Sequence, residues 1–505
     1  MKKNTPLWIL WIGAILFTIL FHNKTTGINL IIFNVFIVGC LIIFKGFNKQ
    51  NMHHIVLLSG VILTLVTGFF FHSSLAITMN YISLILFSAA CLFPQTTAIH
   101  SLTGISFLNI GFSFAEFFSR TFNIKTYKSK AMKKVAKGIT ITIIPLAIII
   151  VFIVLYRNAN PWFDTLVGNT FEAINTMLIN IFGEIHWSFI WSLILGSFFV
   201  IWLLLGKAHS GIVKAESTKS DELKRKKSKF RFRGKMTGLK TEYRSAMILL
   251  IAMNVILLIV NFLDIKNVWF GFDWNGDFLK QFVHEGTWLL IISILLSIGI
   301  ILFYFRKNLN FASFSKPLKI LAYAWMTQNL ILALSVAVRN MHYISYFNLA
   351  YKRIAVFFFL MAVVVGLITV IIKIRKPGTA FFLLRTNSLA VYIILVGMCF
   401  INWDVFIAKY NFKHADTAFL HLNFMQKLDN RALPWLMRDS SELASIKQTQ
   451  YKTFDFARDD IYMTPEVYQE RIQWKRDEFI SSWEEKHWLS WNPAEHRAYQ
   501  LLTGK

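Results

Sequence analysis

Eleven stretches of this chain are apolar and long enough to cross a lipid bilayer. An α-helix rises about 1.5 Å per residue, so about 20 apolar residues cross a hydrocarbon core about 30 Å thick. Within these stretches only Asp404 and Lys137, which lies at the inner edge of its span, are formally charged, as the high cost of an isolated charge in lipid demands. The sequence therefore predicts an all-α polytopic membrane protein with about eleven spans, in a range of ten to twelve. The predicted spans are 7–21, 28–44, 55–71, 75–93, 136–156, 187–206, 246–262, 287–305, 320–338, 354–372 and 388–407.

The charge of the chain follows these segments and does not indicate a nucleic-acid partner. The 505 residues carry a formal net charge of +26, but residues 408–505 hold equal numbers of basic and acidic side chains. The excess of cations therefore lies in the membrane portion, where Lys and Arg gather in cytoplasmic loops. Membrane lipids are the expected partners, and the protein partner stays open.

The distribution of cations among the loops predicts the orientation. Alternate loops on one side hold 32 Lys and Arg, and those on the opposite side hold seven. By the positive-inside rule the N-terminus is cytoplasmic and the C-terminal tail is extracytoplasmic. Lys- and Ile-rich usage without an organellar targeting segment is typical of a bacterial inner membrane, which would make the tail periplasmic.

Three regions follow from this topology. Residues 1–135 form an N-terminal membrane region with about four spans. In this region 99–118 are predicted to form an interfacial amphipathic or re-entrant helix, because a span there would move the next basic loop to the wrong side; a twelfth span is the alternative. Residues 136–407 form a core membrane domain with about seven spans and a basic cytoplasmic loop, 207–245, too polar to bury a core.

Residues 408–505 form a soluble, helical tail. A helix is predicted over 416–428, and a second helix starts at Thr464-Pro465, with Thr as N-cap and Pro in the first turn. One face of this second helix carries apolar side chains at helical spacing, which predicts packing. These are Tyr468, Ile472, Phe479 and Trp483, and Trp474, Trp488 and Trp491 add aromatic surface. We expect the tail to lie on the membrane domain and its aromatic side chains to pack there, with a recognition role as the alternative.

Two polar segments at the predicted outer face are candidates for binding. If 339–353 were one helix, its cations and aromatic residues would form a stripe. Asp404, near the outer end of the last predicted span, needs a partner, and Arg339 or Arg353 is the natural choice. The stripe and Asp404 are either an ion pair with anchoring cations, or a pocket for an anionic headgroup or small anion. The candidate binding residues are Arg339, His342, Tyr343, Tyr346, Lys352, Arg353 and Asp404.

No catalytic, metal or cofactor site is predicted. The sequence contains no Walker loop, HExxH or GxSxG motif, and its three cysteines are scattered among apolar spans. Neutral polar side chains inside the spans are expected to join neighbouring helices by hydrogen bonds. These are Asn34, Asn80, Asn254, Gln328 and Asn329.

Three strings resemble a known family: Arg-Asn-Met-His-Tyr-Ile-Ser-Tyr at 339–346, Leu-Ala-Tyr-Lys-Arg-Ile at 349–354 and Asn-Trp-Asp-Val-Phe-Ile-Ala-Lys-Tyr-Asn at 402–411. They are similar to bacterial membrane proteins with domain of unknown function 4173, a relative of 4153, in the form common in Bacteroidota. The resemblance covers about 140–440, including 428–434. Where this chain has Asn348 such relatives have Gly, which puts a tight turn there in doubt. The resemblance implies an integral inner-membrane protein and no particular activity.

The leading hypothesis is a non-enzymatic sensor, scaffold or accessory component of the membrane. A transporter or flippase for an anionic or amphipathic molecule is the first alternative. A membrane-embedded transferase acting on a lipid-linked substrate, with His342 or Asp404 as base, is the second. The 339–353 stripe and Asp404 distinguish these hypotheses, since they either pair off, end in a shallow pocket, or line a cavity in the membrane.

Overall fold

In the computed structural model, helices are the regular secondary structure of the described chain, and no strand forms there. Its one β-bridge in that part joins Glu222 to Gly378. The described residues are 5–47, 51–121, 149, 152–153, 156–158, 160–182, 187–206, 216, 219–225, 234–271, 276–305, 308–459 and 462–504.

The chain forms two compact units, which interleave along the sequence. The first unit comprises Met1–Phe69, Ile77–Ser217 and His487–Asn492, and the second comprises the remaining residues. The predicted division into 1–135, 136–407 and 408–505 concerns position relative to the membrane and stays a prediction.

Seven helices of the described chain lie wholly or mostly in the first unit. Thr97 and Ala98, just before the fifth helix, donate their N–H groups to the carboxylate of Glu216 at 2.7 and 3.1 Å. The fifth helix, Ile99–Thr121, contains the predicted helix 99–118. Its location in the membrane interface stays a prediction. The helices are α1 (Leu7–Phe21), α2 (Ile28–Lys45), α3 (Met52–Phe71), α4 (Ser74–Leu92), α5 (Ile99–Thr121), α6 (Pro161–Phe182) and α7 (Trp187–Leu204).

The second unit begins with five long helices of 19 to 32 residues, and six further helices follow in the described chain, one of them with 20 residues. A π-helix, Ile265–Phe270, directly continues the first long helix. The α-helices are α8 (Gly234–Asp264), α9 (Gly276–Tyr304), α10 (Lys316–Phe347), α11 (Tyr351–Arg375), α12 (Ala380–Met398), α13 (Trp403–Lys413), α14 (Leu422–Met425), α15 (Leu433–Leu436), α16 (Ser440–Thr453), α17 (Pro465–Glu484) and α18 (Pro493–Thr503).

Eight helices in the described part of the chain are long and apolar enough to cross a membrane. Helix α1 and the segment Trp288–Tyr304 are apolar but shorter. The protein is therefore a helical, multi-pass membrane protein, while the predicted count of eleven is not confirmed. The predicted span 136–156 lies largely outside the described residues. The eight candidates are Ile28–Lys45, Met52–Phe71, Ser74–Leu92, Trp187–Leu204, Leu239–Phe270, Lys316–Phe347, Tyr351–Arg375 and Ala380–Met398.

Helices α8 and α10 pack in parallel along a seam of polar side chains. Asn254 donates to the carbonyl of Leu321 (3.1 Å), and Asn261 donates to the carbonyl of Gln328 (3.1 Å). Each contact lies seven residues beyond the previous one on both helices, the spacing of parallel helices packed side by side. Gln328 also donates to Asn254 at 2.7 Å. The predicted interhelical role of Asn254 and Gln328 is thus confirmed.

Of the other predicted contacts between helices, the one between Asn34 and Asn80 forms, and Asn329 bonds within its own helix. Asn34 of α2 donates to Asn80 of α4 at 2.9 Å, as predicted. Asn329 instead donates to the carbonyl of Trp325 in its own helix at 2.8 Å. The amide of Asn329 therefore shows a bond within α10 where we expected one between helices.

The predicted loop 207–245 is partly helical, which corrects that prediction. Helix α8 begins at Gly234, because Leu239 and Tyr243 recur at helical spacing and pack against the apolar core of the unit. Of the remaining loop, the segment 219–225 contacts the start of α12. There Leu223 donates to Pro377 (2.8 Å) and Asp221 accepts from Thr379 (2.9 Å) through backbone groups. Residues 207–215, 217–218 and 226–233 lie outside the described residues.

The last predicted span, 388–407, is placed too late in the chain. Helix α12 begins at Ala380, where the Thr379 hydroxyl accepts the N–H of Phe382, and it ends at Met398. A new helix, α13, starts after Asn402, so Asp404 lies outside the candidate spans. The helices also extend beyond the predicted spans and therefore include further charged residues. Asp264, Arg339, Lys352, Arg353 and Lys373 all lie within candidate spans.

The tail packs against the end of α10 and the start of α11. Ile344, Leu349 and Ile354 share one buried apolar cluster with Ile407, Leu433, Tyr468, Ile472 and Phe479. The helix starting after Thr464 is confirmed, with its predicted apolar face buried and Trp483 half-buried. The predicted helix 416–428 is wrong except for Leu422–Met425. The predicted packing of Trp474 and Trp488 is also wrong, because their side chains are 67% and 62% exposed.

Candidate functional site

The stripe predicted over 339–353 is divided by a turn. Helix α10 ends at Phe347, and Asn348 has φ 62° and ψ −175°, a conformation almost restricted to glycine. The Asn348 side chain donates to the carbonyls of Ala418 and Phe419, at 3.3 Å each. The turn therefore forms with Asn in the strained position, and contacts with the tail hold it. The prediction of one continuous helix from 339 to 353 is therefore wrong.

Arg353 closes this turn without a carboxylate. Its Nη1 donates to the carbonyl oxygens of Phe347 (2.6 Å) and Asn348, which the end of α10 leaves unpaired. Its guanidinium carbon lies 4.5 Å from the centroid of the Tyr343 ring, a cation–π distance. Within the described part of the chain no acidic side chain pairs with Arg353 or with its exposed neighbour Lys352.

A cavity of about 640 Å³, the first cavity, opens beside the turn. Its polar lining includes Tyr343, Lys352 and Arg353, three of the seven predicted binding residues. The rest is mostly apolar, and its walls come from α9, α11 and the tail. An amphipathic lining of this size is typical of a small-molecule site. The apolar residues include Trp288, Ile291, Val356, Phe359 and Phe424.

Arg339 and His342 instead meet α8 and the π-helix. Arg339 pairs with Asp264, and both side chains are buried. The Ser335 hydroxyl donates to the other oxygen of Asp264 at 2.6 Å. His342 Nε2 lies 2.9 Å from the carbonyl oxygen of Val268. This buried ion pair ends the polar seam between α8 and α10, at the point where the helix widens into a π-helix.

Tyr346 belongs to an aromatic cluster in the tail. Its ring centroid lies 4.9 Å from that of Phe454 and 6.3 Å from that of Phe456. Its backbone carbonyl accepts the N–H of Phe419 at 2.6 Å. Tyr346 is therefore placed as a packing residue, away from the first cavity.

Asp404 pairs with Arg431, which corrects the predicted pairing with Arg339 or Arg353. Arg431 Nη2 donates to Asp404 Oδ2 at 2.9 Å. Asp404 Oδ1 accepts from the hydroxyl of Tyr351 and from the N–H of Asp429 at 3.2 Å. The break after Met398 removes Asp404 from the preceding helix and lets the tail bring Arg431 to it. Both oxygens of Asp404 thus have partners.

A second cavity of about 450 Å³ lies beside this ion pair. Arg431 also donates to Asp429 Oδ1 at 2.7 Å. Burial raises the pKa of Asp429, but the charge of Arg431 and its hydrogen bonds outweigh that effect and hold the pKa below its ordinary value. The lining includes Ser73, Ser74, Tyr351, Ala355, Trp403, Asp404, Lys427, Asp429 and Arg431.

The segment 426–429 is fixed from the tail by Lys475. Its ammonium group donates to the carbonyls of Gln426 (3.1 Å) and Leu428. Burial lowers the pKa of Lys475. This contact positions Lys427 and Asp429 at the second cavity.

Two charged residues at these sites escaped the sequence analysis. Asp264 lies two residues beyond the predicted span 246–262, in a segment for which the sequence predicts a loop. Arg431 lies in 428–434, which was noted only for its family resemblance. Within the described residues no group of three His, Cys, Asp or Glu could hold a metal ion.

Comparison with known proteins gives one match. No curated protein and no solved structure matches the chain. A family model matches residues 58–438, ending near the predicted limit of 440 but beginning well before 140. Membership of domain 4173 and the Bacteroidota form stay predictions. The match covers most of the sequence, and the chain belongs to the family described as Domain of unknown function (DUF4153).

Proposed function

We propose that this chain is a non-enzymatic component of the bacterial inner membrane that binds the anionic group of an amphiphile in the first cavity. In this role it would act as a sensor, scaffold or accessory protein. The observation that carries the proposal is the pair of cations, Lys352 and Arg353, which line a mostly apolar cavity without a carboxylate partner in the described chain.

The chemistry of the lining favours an anion joined to an apolar chain. A guanidinium and an ammonium attract a phosphate or carboxylate, and the Tyr343 hydroxyl can add a hydrogen bond. Trp288, Val356 and Phe359 belong to α9 and α11 and offer an apolar surface for an alkyl chain. A small hydrophilic anion would leave this apolar surface without a matching group.

The predicted orientation determines on which side of the membrane this cavity lies. The cation bias places the N-terminus in the cytoplasm and the tail in the periplasm. The first cavity lies at the start of α11, next to Phe424 of the tail. The amphiphile would therefore be bound from the outer leaflet.

Binding can be measured on the purified full chain with methyl dodecyl phosphate, a monoanion with an alkyl chain. Lys352→Gln should weaken binding about fivefold, because one cation near a membrane surface contributes about 1 kcal/mol. The matched control is Lys413→Gln, an exposed lysine that lines neither cavity. Dodecyl methyl ether, which is uncharged and has no polyol head, should bind weakly and alike to all three proteins. Equal affinity of wild type and Lys352→Gln for the phosphate would refute the proposal.

A flippase or transporter is the second candidate, favoured by the polar seam between α8 and α10. The seam joins Asn254, Gln328 and Asn261 and ends at the Asp264–Arg339 pair, all within candidate spans. Vesicles holding the protein and a fluorescent phosphodiester lipid separate the candidates. Binding without faster exchange between leaflets supports the first, and exchange that Asn261→Leu abolishes supports the second.

The transferase hypothesis gains no support from this geometry. A transferase would need a base beside the bound headgroup. Asp404 already accepts hydrogen bonds at both oxygens, and His342 faces the carbonyl of Val268. Neither residue lines the first cavity.

A further inference from the structure

We propose that the amphiphile carries an uncharged, hydroxyl-rich head, such as a sugar or a glycerol, and that the second cavity binds this head. This inference rests on the proposed function, because it extends the ligand of the first cavity. The ligand class is then a phosphodiester that links a long-chain alcohol to a polyol.

The two cavities are neighbours on α11. Tyr351 and Ala355 line both of them, and these residues lie four positions apart, on one face of the helix. The Tyr351 hydroxyl, bonded to Asp404, forms part of the boundary between them. A ligand held by Lys352 and Arg353 could therefore extend past Tyr351 into the second cavity.

The two linings differ in charge. The first cavity has two cations and no acid, whereas the second has two acids, Asp404 and Asp429, and two cations, Arg431 and Lys427. A second anion would meet both carboxylates, and an ammonium group would meet both cations. A balanced lining therefore favours a neutral polar group.

The free hydrogen-bonding groups of the second cavity are mixed. In the part of the chain that the structure describes, the bonds of the Asp429 carboxylate fall on Oδ1, and Asp429 Oδ2, Lys427 Nζ and the Ser74 hydroxyl have no hydrogen bond. An ammonium donates, a carboxylate oxygen accepts and a serine hydroxyl does both. Hydroxyl groups of a ligand can match all three, since each both donates and accepts. Trp403 adds a flat apolar surface against which a sugar ring can pack.

The test compares three dodecyl phosphodiesters of equal charge, with methyl, glyceryl and glucosyl heads, on the purified full chain. At least one polyol probe should bind about tenfold more tightly than the methyl probe, the equivalent of about 1.4 kcal/mol. Tighter binding of the glyceryl or of the glucosyl probe identifies the kind of polyol, and either result supports the inference.

Variants then locate the head. Lys427→Gln and Ser74→Ala should each remove most of the polyol advantage and leave the affinity for the methyl probe unchanged. Lys413→Gln, which removes a lysine outside both cavities, should change neither. Equal affinities for all three probes, still reduced by Lys352→Gln, would overturn this inference and leave the proposed function standing. Failure of every probe to bind would reject the proposed function itself.

Discussion

Three arginines of the second unit are held in three different ways. Arg339 has one buried carboxylate, Asp264, and Arg431 has two, Asp404 and Asp429. Arg353 donates to two backbone carbonyl oxygens and lies over the ring of Tyr343, with no carboxylate partner among the described residues. Helix-end carbonyls satisfy the hydrogen bonds of a guanidinium but carry only a partial negative charge. Most of the charge of Arg353 therefore stays available to a ligand, whereas Arg339 and Arg431 are already compensated.

Asp404→Asn should destabilise the protein by about 3 kcal/mol, because it removes one carboxylate from the buried Arg431. Arg431 is 3% exposed, so water cannot replace the lost partner. Because the contact between Arg431 and Asp429 remains, the loss of stability should lie at the lower end of the range for a broken buried ion pair. Thermal unfolding of the purified variant measures the effect.

Glu172→Gln is the matched control, since Glu172 lies on α6 with an exposed side chain. Its substitution removes the same charge without breaking a buried pair and should leave unfolding unchanged. Equal yield and thermal stability of the two variants would contradict a structural role for Asp404.

At the scale of elements, the entry to α2 depends on a close approach to 487–492 within the first unit. Ile28 donates to the backbone carbonyl of Trp491 at 3.2 Å. A Cβ at Gly27 would lie 2.4 Å from the carbonyl carbon of Ser490 and 2.5 Å from the carbonyl oxygen of Trp491. Backbone atoms cannot yield as a flexible side chain can, so only glycine fits here without displacing the segment.

Gly27→Ala should therefore destabilise this unit by about 1–3 kcal/mol, the usual cost of forcing extra volume into a packed site. Gly39→Ala on the same helix is the control, because nothing lies within 4 Å of its added Cβ. There alanine should leave stability unchanged or raise it slightly, since it favours the helix. Thermal unfolding of the two variants at equal yield tests this prediction. Similar melting temperatures would show that residues 487–492 do not approach Gly27 closely.

The sequence predicted where helices form better than where they end. Hydropathy identified the apolar centres of α2 to α4 and α7 to α12, since burial and lipid contact both select apolar residues. It missed ends that depend on distant contacts. Gly234–Ser245 continues α8 because Tyr243 packs on the core, and α12 stops at Met398 where the chain turns toward Asn402. Local composition contains neither contact.

At the scale of the whole molecule, the membrane class was predictable and the pairing of charges was not. Apolar length alone determines whether a helix can span a bilayer. The pairing of Asp404 with Arg431 depends on how the tail packs, and Asp264 and Arg339 meet only because α8 and α10 run parallel. The sequence grouped Tyr343, Lys352 and Arg353 in one helical segment, whereas they line the first cavity together because they adjoin the turn at Asn348. It could not place Arg339 or Tyr346, which face other helices.

The orientation of the chain is the prediction on which the side of the binding site depends. A reporter enzyme that is active only outside the cytoplasm, fused after Lys505, should be active, because 32 loop cations on one side against seven on the other hold the N-terminus inside. The same reporter fused after Arg225, in the basic loop, should be inactive. The reverse pattern would place the first cavity at the cytoplasmic leaflet, and its ligand would then be an inner-leaflet amphiphile.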